Sequence, residues 1–256
     1  MIKAVFFDID GTLFSHKSME VPESTREALK LLRRNGVKSF IATGRCWDEM
    51  KSLPIDYFEF DGMVLLNGQI CIDNNGNVLY ESPIESGDLK EIILEFNQKK
   101  MPVLLIEKDK IYINYVDEIV KEAQKTFSLP TPVVGEYSGG KVYQACVYAN
   151  DKQEKELMKC LKYCKATRWH DFGIDLISES GGKDIGIGHV LKHYGIKRSE
   201  CMAFGDGEND VDMLKFARIG VAMGNADECT KVCADYVTND IDNDGIYNAL
   251  KIFQII

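Results

Sequence analysis

Two carboxylates stand two residues apart at the end of an apolar run: Asp8 and Asp10 in Asp8-Ile9-Asp10-Gly11-Thr12, directly after Ile2, Ala4, Val5, Phe6 and Phe7. A short apolar run closed by Gly reads as a buried strand. Residues one and three of the Asp8 to Thr12 stretch point the same way from an extended backbone, so the two acids are expected side by side, with Gly11 letting the chain turn away. Like charges that close repel, and a divalent cation or a shared proton would offset them. One carboxylate then serves as nucleophile and the other as acid and base, the division of labour of covalent hydrolysis.

Three further polar stretches sit where strands end or helices begin: Thr43-Gly44-Arg45, Lys183 after Gly182, and Gly205-Asp206-Gly207-Glu208-Asn209-Asp210. Hard cations take oxygen ligands, so Asp8, Asp10 and Asp206 are candidates for Mg²⁺, with Asp210 suited to ordering its waters. Thr43 and the amides after Asp8 can bind phosphoryl oxygens. Lys183, at a helix start, adds positive charge where the dipole already favours an anion.

The elements that must position these groups can be read in order. Ser24-Thr25-Arg26-Glu27 has capping-box spacing and opens a helix with Ala28, Leu29, Leu31 and Leu32 as its apolar stripe, ending at Asn35-Gly36. Val37 to Ala42 is a second buried strand, and strand, helix and strand imply a parallel pair with both carboxyl ends on one edge, where open α/β sheets keep ligands. Asn67-Gly68 and Asn74-Asn75-Gly76 are hairpin signals.

From 82 to 180 the pattern changes. Helices are expected over Asp88 to Lys100, Asp117 to Phe127 and Asp151 to Cys164. Strands are expected over Val103 to Glu107 and Ile111 to Tyr115 across Lys108-Asp109-Lys110, over Lys141 to Ala149, and over Thr167 to His170 and Ile174 to Ser178 across Asp171-Phe172-Gly173. Single strands and helices then resume, with Cys201 to Phe204 and Ile219 to Ala222 as strands. The expected organisation is a doubly wound, mainly parallel α/β core, residues 1–81 and 181–256, interrupted by an α/β domain at 82–180.

Composition narrows the partners. Forty acids against 31 bases give a net charge of −9 on 256 residues; no domain-wide basic field exists for nucleic acid, while a cation and a few local bases can still seat a small phosphorylated metabolite. Neither a signal-peptide layout nor an apolar run approaching the ~20 residues of a membrane span is present, so a cytoplasmic protein without a membrane partner is expected. The eight cysteines offer no zinc spacing. Cys160/Cys164 and Cys229/Cys233, four apart, are expected on helix faces as small buried hydrophobes.

Asp8 to Thr12, Ala42-Thr43-Gly44-Arg45, Gly182-Lys183 and Gly205 to Asp210 together resemble the four motifs of the haloacid dehalogenase (HAD) superfamily. The insertion resembles the α/β cap of its Cof-type (IIB) sugar-phosphatase branch, and the resemblance spans essentially the whole chain. It implies Asp8 as nucleophile forming an aspartyl-phosphate, and Asp10 as the acid for the leaving oxygen and then the base for water, its backbone carbonyl joining Asp8 and Asp206 on Mg²⁺. It also implies Thr43, Gly44 and Lys183 as phosphate binders, and Asn209 and Asp210 as support for the metal shell and Lys183. Thr12 fits a phosphatase motif, and Asp10 argues against the dehalogenase branch, which lacks a second acid.

The substrate class expected is sugar phosphates, met by a cap that excludes water. Arg45 from the core and Arg168, His170 and Asp171 from the cap's last hairpin are the candidate specificity contacts. Trp169 and the aromatics of 111–115 are read as cap core. The alternatives are a phosphotransferase or phosphomutase, in which another hydroxyl or phosphate intercepts the aspartyl-phosphate, and a non-catalytic switch phosphorylated on Asp8. A monomer or weak homodimer is expected. No Gly-x-Gly-x-x-Gly follows the first strand, against a dinucleotide site.

Overall fold

The computed structural model describes residues 1–51, 53–56, 60–108, 110–126 and 129–256, with the side chain of His170 outside the description. Asp109 and Phe127, assigned above to a turn and a helix end, and the His170 side chain therefore lie outside the described residues.

In chain order come β1 (Ala4–Phe7), α1 (Glu23–Arg34), β2 (Lys38–Ala42), α2 (Trp47–Met50), β3 (Gly62–Leu65), β4 (Ile70–Asp73) and β5 (Val78–Glu81). Next are α3 (Ser86–Gln98), β6 (Val103–Glu107), β7 (Ile111–Ile113), α4 (Glu118–Thr126), β8 (Val142–Val147), α5 (Asp151–Met158), β9 (Cys164–His170) and β10 (Gly173–Ser178). The chain ends with α6 (Lys183–His193), β11 (Cys201–Gly205), α7 (Val211–Phe216), β12 (Ile219–Ala222), α8 (Glu228–Cys233), β13 (Tyr236–Val237) and α9 (Gly245–Ile252).

Two compact units result: Met1–Glu81 with Gly182–Ile256, and Ser82–Gly181. The return point lies one residue after the expected 181.

Among the described residues the first unit holds an eight-stranded sheet in the order β13-β12-β11-β1-β2-β3-β4-β5. It is parallel from β13 to β3, with β4 and β5 antiparallel at one edge. Burial on both faces explains the unbroken apolar runs: every residue of β1 and β11 is buried. Ile187, Val190 and Leu191 of α6 and Met213 and Leu214 of α7 join Phe6, Phe40 and Val64 in one apolar cluster, where Phe6 stacks on Phe40 at 4.8 Å between ring centroids. Each such large side chain contributes about 1.5–3 kcal/mol by leaving water. Phe7 pairs with Ile41 on one side and Phe204 on the other, so Asp8, Thr43 and Asp206 leave the sheet at the same edge.

Among the described residues the second unit holds a five-stranded sheet, β7-β6-β8-β10-β9, whose neighbouring strands pair antiparallel. Ile92 and Phe96 of α3 and Leu157 of α5 pack on Val103, Leu105, Ala145, Val147, Ile174 and Leu176.

Several local expectations need correction. Among the described residues no side chain caps α1, whose N-cap is Pro22, and none partners the buried Ser24 hydroxyl. Pro22 starts the helix two residues before Ser24 can, so the capping-box spacing begins inside the first turn. α5 ends at Met158, and Cys164 opens β9, so Cys160 and Cys164 do not share a helix. Cys160 and Cys229 are exposed and Cys233 half-buried, against their expected burial. The β3–β4 hairpin is longer than an Asn-Gly pair implies: Leu65 pairs with Ile70, and Leu66, Asn67 and Gly68 take φ values of 52°, 51° and 88°. Left-handed backbone at a non-glycine residue costs roughly 1–3 kcal/mol and persists where its surroundings demand it.

Candidate active site

The strand ends deliver the acids, and one helix start delivers the base. Lys183 opens α6 after Gly182 and is buried, as are Asp8 and Asp210. Its Nζ lies 2.7 Å from Asp8 Oδ1 and 2.6 Å from Asp210 Oδ1. Burial alone would push the Lys183 ammonium down, but the charges of Asp210 and Asp8 outweigh it and hold the amine above its ordinary range. Asp210 is fixed in turn: its Oδ2 accepts from the Asp206 and Gly207 N–H groups at 2.9 and 3.0 Å. A sequence spacing of four becomes a turn that folds back on itself, and Asp210 grips Lys183.

Asp206 is approached from the first strand's turn. Thr12 Oγ1 donates to its Oδ1 at 3.1 Å, and Gly11, at φ +73°, runs so near that a Cβ there would lie 2.1 Å from Oδ2. Only glycine fits that approach. Asn225 Nδ2 donates to the Gly11 carbonyl at 2.8 Å.

Asp8, Asp206 and Asp210 each place a carboxylate oxygen so that all three lie within 4.8 Å of one another. Burial, followed by the Asp210 charge, pushes Asp8 up to about 7, and burial, with the charges of Asp8 and Asp210, pushes Asp206 up to about 8. An all-oxygen, anionic donor set fits a hard dication. Asp210 is already engaged by Lys183 and two N–H groups, which leaves Asp8 and Asp206 as the carboxylates for an ion.

Asp10 behaves differently from the expectation that its carboxylate would share a cation with Asp8. Its side chain turns to Arg45, whose Nε and Nη2 donate to Oδ2 and Oδ1 at 2.7 Å each, and to His16, whose Nε2 lies 2.8 Å from Oδ1. Burial would raise this acid, but the Arg45 and His16 hydrogen bonds outweigh it and hold Asp10 well below the usual carboxylate range. The neutraliser is thus a guanidinium two residues past Thr43. Arg45, expected to meet substrate, is buried against Asp10.

Thr43 is fully buried, and its Oγ1 accepts from the Arg45 N–H at 3.1 Å, which folds the 43–45 loop back on the strand end. Asn209 Nδ2 donates to Asn67 Oδ1 at 3.1 Å.

In the second unit, Arg168 is tied to the Glu154 carboxylate of α5 and to the Asp171 carbonyl at 2.9 Å, while Asp171 itself is exposed. Trp169 Nε1 donates to Asp175 Oδ1 at 2.9 Å.

His16, Asn67 and Asn225 belong to the site beyond the residues that the sequence motifs mark. Asn67 carried a hairpin signal; His16 and Asn225 carried none, since only the fold brings them to Asp10 and Gly11.

Residues 5–250 match the profile of the haloacid dehalogenase-like hydrolases. The chain is 37% identical to the HAD subclass IIB sugar phosphatase BT4131, with a TM-score of 0.91 over 99% of this chain and 100% of that one. It is 34% identical to the HAD phosphatase BT1666 from Bacteroides thetaiotaomicron, with a TM-score of 0.90 over 100% and 96%. It is also 26% identical to the 5-amino-6-(5-phospho-D-ribitylamino)uracil phosphatase YitU of Bacillus subtilis (strain 168), over 96% of each chain. Lys183 clasped between Asp8 and Asp210, Asp206 beside them and a match over nearly the whole length converge: the chain belongs to the haloacid dehalogenase-like hydrolases, alongside their phosphatases.

Proposed function

We propose that this hydrolase is a Mg²⁺-dependent phosphatase of small phosphorylated metabolites, with sugar phosphates as its substrate class, and that residues 82–181 act as a substrate-specificity cap on a phosphohydrolase core. The observation that carries the reading is the Lys183 bridge: a buried cation 2.7 Å from the Asp8 carboxylate is a ready counter-charge for a phosphoryl dianion arriving at that carboxylate. The sugar-phosphatase relative supports the substrate class.

The steps rest on the residues in turn. An Asp8 oxygen attacks phosphorus, the bond to the leaving oxygen breaks, and an aspartyl-phosphate forms. Thr43, Gly44 and Lys183 hold the phosphoryl oxygens. Asp10 protonates the leaving oxygen, then takes a proton from the water that hydrolyses the aspartyl-phosphate. Because Arg45 and His16 hold Asp10 ionised, its acid role requires one of them to yield as substrate enters and a proton to be taken up. Asp8, Asp206 and the Asp10 backbone carbonyl would hold Mg²⁺, Asn209 and Asp210 would support that shell, and the ion would neutralise charge on the transferring group.

The test is phosphate release from a panel of sugar, polyol and nucleotide phosphates with and without Mg²⁺, for the wild type and Asp8→Asn. Metal-dependent turnover lost in the variant supports the proposal. Activity surviving in Asp8→Asn overturns it, and transfer to added sugar acceptors in place of release would make the enzyme a phosphotransferase.

A further inference from the structure

The turn between β3 and β4 lies outside the four motifs, yet it touches three of them. Its Leu66 N–H donates to the Arg45 carbonyl at 3.1 Å and its Asn67 N–H to the Thr43 carbonyl at 2.9 Å. Asn67 Oδ1 accepts from Asn209 at 3.1 Å. A Cβ on Gly44 would sit 3.2 Å from the Asn67 carboxamide, and a Cβ on Gly68 would sit 1.9 Å from the Gly182 carbonyl oxygen and 3.0 Å from the Lys183 backbone nitrogen. Leu66, Asn67 and Gly68 are all buried, with the left-handed φ values given above.

A tight Asn-Gly turn would join two antiparallel strands with less strain and a shorter loop. The chain instead holds two non-glycine residues in succession in the left-handed region, inside the protein, and what this geometry achieves is the placement of one carboxamide between the Thr43-Gly44 loop and Asn209. An asparagine tolerates that backbone better than other side chains, and its amide is both donor and acceptor.

We propose that Asn67 is a positioning residue for phosphoryl transfer: its backbone N–H and carboxamide fix the Thr43-Gly44 loop against Asn209, while Gly68 backs the turn that presents Lys183. This rests on the phosphatase reading above and adds a fifth stretch to the site, one that touches the phosphate seat through other residues.

The left-handed conformation supplies the test. Asn67→Gly keeps the backbone at no steric cost and removes the carboxamide with its hydrogen bond to Asn209, so relief of the left-handed strain offsets the lost bond and the thermal midpoint is expected to change little. The expected kinetic effect is a kcat lower by roughly 10- to 100-fold with KM changed less than about threefold, as for a group that orients the reacting centre. Asn67→Asp keeps the shape and the acceptor for Asn209 but brings a negative charge beside the seat, so inhibition by inorganic phosphate should weaken about tenfold or more.

Wild-type kcat in a stably folded Asn67→Gly, with Asp8→Asn inactive, overturns this inference alone. Loss of stability in step with activity in both Asn67 variants overturns it as well, by making the role structural. Activity persisting in Asp8→Asn would instead overturn the phosphatase reading.

Discussion

Two buried acids, one in each unit, face opposite fates. Asp88, at the start of α3, is buried and accepts from the Lys162 N–H at 3.0 Å and the Tyr163 N–H at 2.7 Å. Burial would lift it, but those N–H groups outweigh burial and hold it below its ordinary value. Asp8 is buried too, with Lys183 at 2.7 Å, and yet is pushed up to about 7, because Asp210 and Asp10 add like charge to the cost of burial. The first acid is satisfied by backbone and fastens one chain segment to another. The second is left in competition with its neighbours, the condition in which a carboxylate responds to an added cation or phosphoryl group. Burial alone does not set the two acids apart; the like charges around Asp8 do.

The sharpest way to break this contrast is Asp8→Asn. Phosphate release should fall by about 10³-fold or more, while thermal stability holds or rises as like-charge crowding is relieved. A variant that stays active, or unfolds, would make Asp8 a second Asp88. Lys183→Met comes next: it leaves Asp8 and Asp210 buried without their cation, and denaturant unfolding should show a loss of about 3–5 kcal/mol.

Asp88→Asn should cost about 1–3 kcal/mol and leave kcat within about twofold if the residue is only a fastener. Its folded pKa lies below the reference of 3.8, so its contribution is present above that pH and lost as pH falls through the folded value. The stability gap between wild type and Asp88→Asn should therefore narrow as pH is lowered toward 3 and below. Smallest is Gln69→Leu. Gln69 is fully buried, and both polar atoms of its amide lack hydrogen-bond partners among the described residues, so an apolar replacement should stabilise by about 1 kcal/mol in chemical denaturation. A loss would mean that its amide has work to do beside Asn67.

A physical division separates the features legible in the sequence from those that are not. Strands buried on both faces, such as Ala4–Phe7 and Cys201–Gly205, are apolar without interruption, and parallel pairing then places Asp8, Thr43 and Asp206 at one edge. That much depends on local pattern and chain order. The partners of Asp10 do not: Arg45 and His16 reach it through side-chain directions that a two-residue period cannot encode, so a carboxylate expected beside a metal ion is found in a guanidinium fork. Ser24 shows the same limit at a helix end, where Pro22 opened the helix before the capping pattern applied. Arg168 shows it in the second unit, since Glu154, its ion-pair partner, comes from a helix and not from the hairpin that carries it.

The strand order also governs how the chain is made. In the finished sheet Ala4 pairs with both Lys38 and Cys201, so β1 lies between a neighbour translated early and one translated only after the whole insertion. On the ribosome, the apolar strand Ala4–Phe7 has an open edge until β11 emerges, while Ser82–Gly181, contiguous in sequence, can close first. Long-range pairing of this kind slows folding, and an unpaired apolar edge invites intermolecular pairing in the interval. The order of synthesis therefore completes the strand that leads to Asp8 after the inserted unit.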